Sequence, residues 1–424
     1  MKQVIFAVLL ALFSLQANAS YIFIPMDENQ KNHLKAYGIA YWVLEAEQEV
    51  FWLLNYKGGS FAFKNNVKIQ EECVARDVSF KVIPDAQYTK ILEEIGNPEI
   101  NMDVIKLEVA PKVAVYTPDV NAKGETIQPW DDAVTLVLTY AEIPYEIVYD
   151  TQVLEGKLPE YDWLHLHHED FTGQYGKFYR SYKNHAWYRD HVKKMEELAT
   201  QHGFKKVSQL KLAVVKKIQE YVAGGGFMFA MCSATDTYDI ALAAEGLDIC
   251  EHMYDGDGLD PSAQSKLDFS KTFAFKDFTL KKNPLEYEYS SIDVTQDRKV
   301  DMKMDYFTLF DFSAKWDPIP SMLTQCHTRT VKGFMGQTTA FKQREVKSGV
   351  LILGENKAGK EARYIHGEAG FGTWTFYGGH DPEDYRHLVH DPPTDLNLHP
   401  NSPGYRLILN NILFPAAKKK KRKT

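Results

Sequence analysis

Cys232 stands between two stretches of different periodicity. Before it come Gly224-Gly225-Gly226 and an apolar run from Phe227 to Met231, which reads as a buried strand. After it, Ser233 to Ala244 reads as a helix, with Thr235 or Asp236 placed to cap it. Ala230 and Ala234 lie two residues to either side of the cysteine. Small neighbours are what a sharp strand-to-helix elbow requires, because bulkier ones would clash where the backbone turns. A thiol on such an elbow sits near a helix N-terminus, whose partial positive charge favours thiolate. The chemistry would be nucleophilic attack on an amide or ester carbon. The alternative is an inert buried thiol, the common state of a free cysteine.

A base and an orienting group follow a later apolar strand, Gly372 to Tyr377. His380 follows it after Gly378-Gly379, and Asp381, Glu383 and Asp384 come next. A parallel sheet would deliver Cys232 and His380 to one edge, giving a triad with Cys232 as nucleophile, His380 as base and Glu383 as orienter. The backbone N–H of Ser233 would contribute to an oxyanion site. The alternative for His380 is a loop histidine that satisfies backbone carbonyls. A second polar cluster, His165, His167, His168, Glu169 and Asp170, ends a third apolar run. His167, His168, Glu169 and Asp170, with Ser233 and Asp381, form the candidate substrate-binding set. Its nitrogen and oxygen donors also suit a metal, and His165 and His167 share a strand face. The spacing matches no defined metal motif, so no metal ligand set and no cofactor are assigned. The triple glycine precedes a strand rather than a helix, which excludes a phosphate loop.

Residues of this kind need a rigid sheet to hold them. From Pro111 onward, strands and helices alternate: a strand at 112–116, a helix at 130–141, strands at 145–149 and 161–167, a helix at 207–222, then the elbow. That rhythm implies a parallel sheet with helices on both faces, and ligands in such sheets bind beyond the carboxyl ends of the strands. Before it, residues 20–108 read as a small α+β domain with a hairpin at Lys57-Gly58-Gly59. Residues 250–360 break the rhythm and read as a β-rich insertion, with strands expected at 272–278, 286–289 and 306–312. The α/β pattern resumes over 361–415, so the α/β domain comprises 111–249 and 361–415. Residues 416–424 form a basic tail.

With 424 residues, 44% hydrophobic and 13% aromatic, the chain can build more than one core. Its formal net charge of -8 argues against nucleic acid as a partner, which needs a basic face. Residues 1–19 read as a secretory signal: Lys2, an apolar run from Val4 to Leu15, and Ala17-Asn18-Ala19 as the cleavage site. That run is too short for a permanent membrane span. The expectation is an exported, periplasmic protein acting on a small molecule, peptide or glycan. Cys73, Cys232, Cys250 and Cys326 show no C-x-x-C spacing, and two of them could pair in an oxidising compartment.

With these residues in view, the block from Lys112 to Pro415 resembles the class I glutamine amidotransferase-like superfamily. That resemblance implies a flavodoxin-like sheet with a Cys elbow and a later His. Phe376-Tyr377-Gly378-Gly379-His380 is similar to the ThuA-like branch of that fold, which is associated with carbohydrate metabolism. This chain has Ala230 and Ala234 where the superfamily's elbow has glycines, and His380-x-x-Glu383 where it has His-x-Glu. The whole chain also resembles a family of exported Bacteroidota proteins often labelled asparagine synthetase B. The matching stretches are Ile24-Pro25-Met26-Asp27, Asn32 to Gly38, His165 to Gly176 and Tyr377 to Tyr385. The label implies glutamine-dependent amidation of aspartate with ATP. That chemistry needs a Cys directly after the initiator Met, where this chain has Lys2, and a Ser-Gly-Gly-x-Asp-Ser loop, which it lacks.

Overall fold

The computed structural model describes residues 20–118 and 131–417. The expected secretory signal at 1–19, residues 119–130 and the basic run Lys418 to Lys423 lie outside the described residues. Two sheets organise the chain. The first is antiparallel and takes its strands from Ser20–Ile24 (β1), Val50–Leu54 (β2), Ser60–Lys64 (β3), Lys81–Pro84 (β4) and Asp103–Leu107 (β5), in the order β4-β1-β3-β2-β5. Its inner face, with Ile22, Ile24, Trp52 and Phe61, packs on the helix His33–Glu45. Asn32 caps that helix through the N–H of Lys35.

The second sheet has ten strands. They are Val113–Tyr116 (β6), Glu146–Val148 (β7), Trp163–Leu166 (β8), Phe227–Met231 (β9), Tyr306–Leu309 (β10), Thr330–Lys332 (β11), Phe341–Lys342 (β12), Leu351–Asn356 (β13), Glu361–Ala369 (β14) and Gly372–Tyr377 (β15). The order is β11-β10-β13-β14-β15-β9-β8-β6-β7, with β12 paired to β14. From β15 to β7 every pairing is parallel, and from β14 outward every pairing is antiparallel. Numbered along the chain, the parallel strands run 2-1-3-4-5 across the sheet.

The antiparallel half corrects the expectation of a separate β-rich insertion. β10 to β13 extend the same sheet rather than forming their own. The strands expected at 272–278 and 286–289 do not form; the backbone there is irregular, with isolated bridges Phe275↔Val346 and Leu280↔Ser290. Asp239 takes up that backbone instead, accepting the N–H groups of Phe273, Ala274 and Phe275 at 2.7, 2.7 and 2.9 Å. The aromatic side chains that made the stretch look like a strand are buried against the Ser233–Ala243 helix and β15.

Helices cover both faces of the large sheet. On one face lie Ala133–Ala141 and Pro403–Leu413, and the helix His33–Glu45 packs on both of them, so the two sheets share one core. On the other face lie Val207–Ala223, Ser233–Ala243 and the amphipathic Ala186–Gln201. All four cysteines are free thiols. No helix among the described residues is long and apolar enough to cross a membrane.

Candidate active site

Strand register brings the candidate residues to one edge. Met231 of β9 pairs with Tyr377 of β15, and Ala230 pairs with Leu166 of β8, so Cys232, Gly378 and His167 all begin where their strands end. Tyr116 of β6 pairs with Leu166, which brings the end of β6 to the same edge, where Asp131 and Asp132 also lie. β6 and β8 flank the point where the strand order reverses, the place where open α/β sheets leave a crevice.

Cys232 adopts φ 55° and ψ −141°, a conformation that only glycine takes without strain. The helix starts immediately after it, at Ser233, which corrects the expectation of a cap at Thr235 or Asp236. Thr235 instead donates its hydroxyl back to the Cys232 carbonyl at 2.6 Å. The thiol is 3% exposed and accepts the backbone N–H of Gln337 at 3.3 Å. Burial pushes it up to about 11, against the opposing pull of the N–H groups of Gln337, Thr338 and Ser233. Ser233 is fully buried, and its carbonyl accepts the Thr237 hydroxyl.

His380 lies on the wall of the same cavity of about 270 Å³ as Cys232, together with His168, Gln337, Arg386 and His387. Its Nδ1 meets Nδ1 of His168 at 3.4 Å, not the thiol. Glu383 pairs with Nδ1 of His399 at 3.1 Å, so the structure does not bring the expected orienter to His380. Asp381 is fully buried and accepts the N–H groups of Glu383 and Asp384, which folds the loop after His380.

Around His380 the imidazoles are close-packed. Its ring centroid is 4.6 Å from those of both His167 and His387, and His167 stacks on His168 at 4.1 Å. Burial, reinforced by neighbouring imidazoles, holds His168 and His380 well below the usual histidine value, so both are neutral. His387 behaves oppositely. Burial pulls it down, but Asp131 at 2.7 Å and Asp384 at 2.9 Å outweigh that and raise it to about 9.

Two residues that sequence reasoning left unassigned, Asp132 and His387, are central here. Asp132 caps the Ala133–Ala141 helix through Val134 and Thr135. Its other oxygen lies 3.2 Å from Nε2 of His165 and 3.2 Å from Nδ1 of His167. Burial alone would raise Asp132, but the two histidines hold it well below the carboxylate range. The Asp-Asp pair before an apolar helix was a legible cap signal. Glu169 and Asp170 do different work: Glu169 approaches Lys211 at 3.7 Å, while Asp170 accepts from Thr172 and Gly176 and closes the loop.

No family model matches the chain, and no curated protein matches it. Among solved structures it is similar to the cytoplasmic protein STM3548 from Salmonella typhimurium, at 10% identity and a TM-score of 0.34. That match covers 71% of this chain and 97% of the other. It is also similar to the cytoplasmic protein STM1381 from Salmonella typhimurium LT2, at 11% identity and a TM-score of 0.34, covering 72% and 100%. Likeness at this level assigns neither family nor activity.

Proposed function

We propose that the chain is an exported hydrolase of the amidotransferase-like type, acting on an amide or ester at the carboxyl edge of the large sheet, with Cys232 as nucleophile. The observation that carries this reading is the strained backbone at Cys232. A non-glycine residue at φ 55° costs about 1–2 kcal/mol, and such strain persists mainly where it holds a reacting group in place. The 2-1-3-4-5 order of the parallel strands is that of flavodoxin-like sheets, which supports the same family of folds. In the reaction, the thiol proton passes to an imidazole on the cavity wall and sulfur attacks the carbonyl carbon. The leaving group takes the proton, and water then releases the acyl group.

The cost of the first step is substantial. A thiol at about 11 and an imidazole below 6.5 make proton transfer uphill by at least roughly 6 kcal/mol. Turnover is therefore slow unless substrate or another charge stabilises the thiolate. The test is hydrolysis of a panel of p-nitrophenyl esters, peptide amides and glutamine by the mature chain and by Cys232→Ser and His380→Asn. Activity lost in both variants supports the reading; activity retained in Cys232→Ser overturns it.

A second reading, a periplasmic protein that binds a sugar or metal without turning it over, is favoured by one observation. His380 contacts His168 rather than Cys232, so the cavity presents a neutral imidazole pair beside an un-ionised thiol. This reading expects ligand binding to survive Cys232→Ala.

A further inference from the structure

We propose that His167, His168 and His380 bind one zinc-class divalent cation at the wall of the Cys232 cavity. Each of the three offers a ring nitrogen, and these atoms lie within 4.8 Å of one another. The His168 and His380 Nδ1 atoms are 3.4 Å apart. A tetrahedron with zinc–nitrogen bonds of about 2.0–2.1 Å has an edge of about 3.3–3.4 Å, so this pair already stands at the spacing of two ligands on one ion.

Orphaned nitrogen points to the same place. His167 is 1% exposed, yet neither of its ring nitrogens makes a hydrogen bond, and Nε2 has no polar partner at all. A buried polar atom left unsatisfied is costly, and an imidazole lone pair can be satisfied by a cation as well as by a donor. Asp132 prepares His167 for that role. With its carboxylate 3.2 Å from Nδ1, the negative charge favours the ring proton on Nδ1, which leaves the lone pair on Nε2. That is the carboxylate–histidine–metal arrangement of zinc sites.

The neighbouring set Asp131, His380 and His387 is less suited, because His387 is already ion-paired with Asp131 and Asp384. Three imidazoles fill three corners of a tetrahedron. With His168 and His380 on the cavity wall, a fourth position would be left for a ligand from the cavity, as in catalytic rather than structural zinc sites. There the cation would polarise a carbonyl oxygen or a water molecule. It would also favour ionisation of a thiol on the same wall.

The test uses the mature chain, stripped with chelator and titrated with Zn²⁺ by calorimetry and with Co²⁺ by visible absorption. The expected result is one equivalent per chain and the intense visible bands of four-coordinate Co²⁺. His167→Ala and His380→Ala should each weaken Zn²⁺ binding at least about 100-fold. Asp132→Asn keeps a good helix cap and should weaken it about 10–100-fold. His202→Ala, remote from the cluster, should bind as the unaltered chain does. Substoichiometric binding, a weak six-coordinate Co²⁺ spectrum, or unchanged affinity in folded His167→Ala overturns the proposal. The Co²⁺ spectrum of the unaltered chain decides the matter without any variant. Cys232→Ala keeps the cation here but abolishes turnover under the hydrolase reading, so either can fail alone.

Discussion

The backbone N–H of Cys232 donates to the carbonyl of Gly379 at 3.2 Å, which joins the elbow directly to the loop carrying His380. The same loop is held from the other side, where His380 donates its N–H to Met335 and Gly379 donates to Thr338. Gly336 packs so closely against it that a Cβ there would lie 2.8 Å from the His380 nitrogen. Thiol, imidazole and the Gln337 donor are thus positioned by one backbone network, although long stretches of chain separate them. Such over-determination is what allows a strained residue to persist.

That strain is measurable. Cys232→Ala removes the thiol and keeps the unfavourable φ of 55°, whereas Cys232→Gly removes both. The glycine variant should therefore be more stable than the alanine variant by about 1–2 kcal/mol in urea denaturation, with both inactive. Glycine in place of a buried side chain normally destabilises, so alanine proving the more stable would show that the elbow is unstrained.

Asp236, one turn into the elbow helix, should make stability fall with rising pH. Burial raises its carboxyl to about 7, while the Thr338 hydroxyl, donating at 2.8 Å, pulls the other way. The unfolded carboxyl titrates near 3.8, so between about pH 4 and 7 the native state holds a proton that the unfolded state has lost. Its contribution is complete below pH 4 and lost through pH 7, up to roughly 4 kcal/mol. Asp236→Asn keeps the acceptor for Thr338 and removes the ionisation. It should be more stable by about 1–3 kcal/mol at pH 8, equal at pH 4, and flatter between. Parallel stability–pH curves for the two proteins would refute the assignment.

The parts legible in the sequence were those set by local periodicity. Phe227–Met231 and Gly372–Tyr377 appear with the expected bounds, because short runs rich in aromatic and β-branched residues and set off by glycine have few other solutions. The helix Ala186–Gln201 is harder to read, although its buried Tyr188, Met195 and Ala199 follow a helical period, because charged residues crowd the middle of the stretch. The antiparallel half of the sheet was hidden for another reason. A β-strand says nothing local about its neighbour's direction, and β13 to β15 pair through long-range register. At the site, the edge and its histidines were legible, but the pairing was not. Glu383 chose His399 and Asp132 chose His165 and His167, and only the folded chain distinguishes one nearby carboxylate from another.

Alkylation of Cys232 should be slow at neutral pH in the chelator-stripped protein. Iodoacetamide reacts with thiolate, and a thiol held at about 11 by burial offers little of it. Peptide mass spectrometry should place the labelling midpoint near 11 in the native chain and near the free-thiol value of about 8.5 in denaturant. A native midpoint below 8.5 would mean that the cavity stabilises the thiolate without a cation, and would remove the main cost from the hydrolase mechanism.

Gly38→Ala probes the joint between the two sheets. A Cβ on Gly38 would lie 1.8 Å from the carbonyl oxygen of Ala141, backbone that cannot rotate away. The helix His33–Glu45 would have to move off the helix Ala133–Ala141, at a cost of about 3 kcal/mol or more. That second helix ends at Ala141 and begins at the cap Asp132, whose carboxylate orients His165 and His167. Displacement at one end of nine residues therefore reaches the site at the other. The expected outcome is a single unfolding transition at lower temperature together with weakened Zn²⁺ binding. Two separate transitions, with the α/β part and its binding unaltered, would show instead that the N-terminal sheet is only loosely docked and does not support the site.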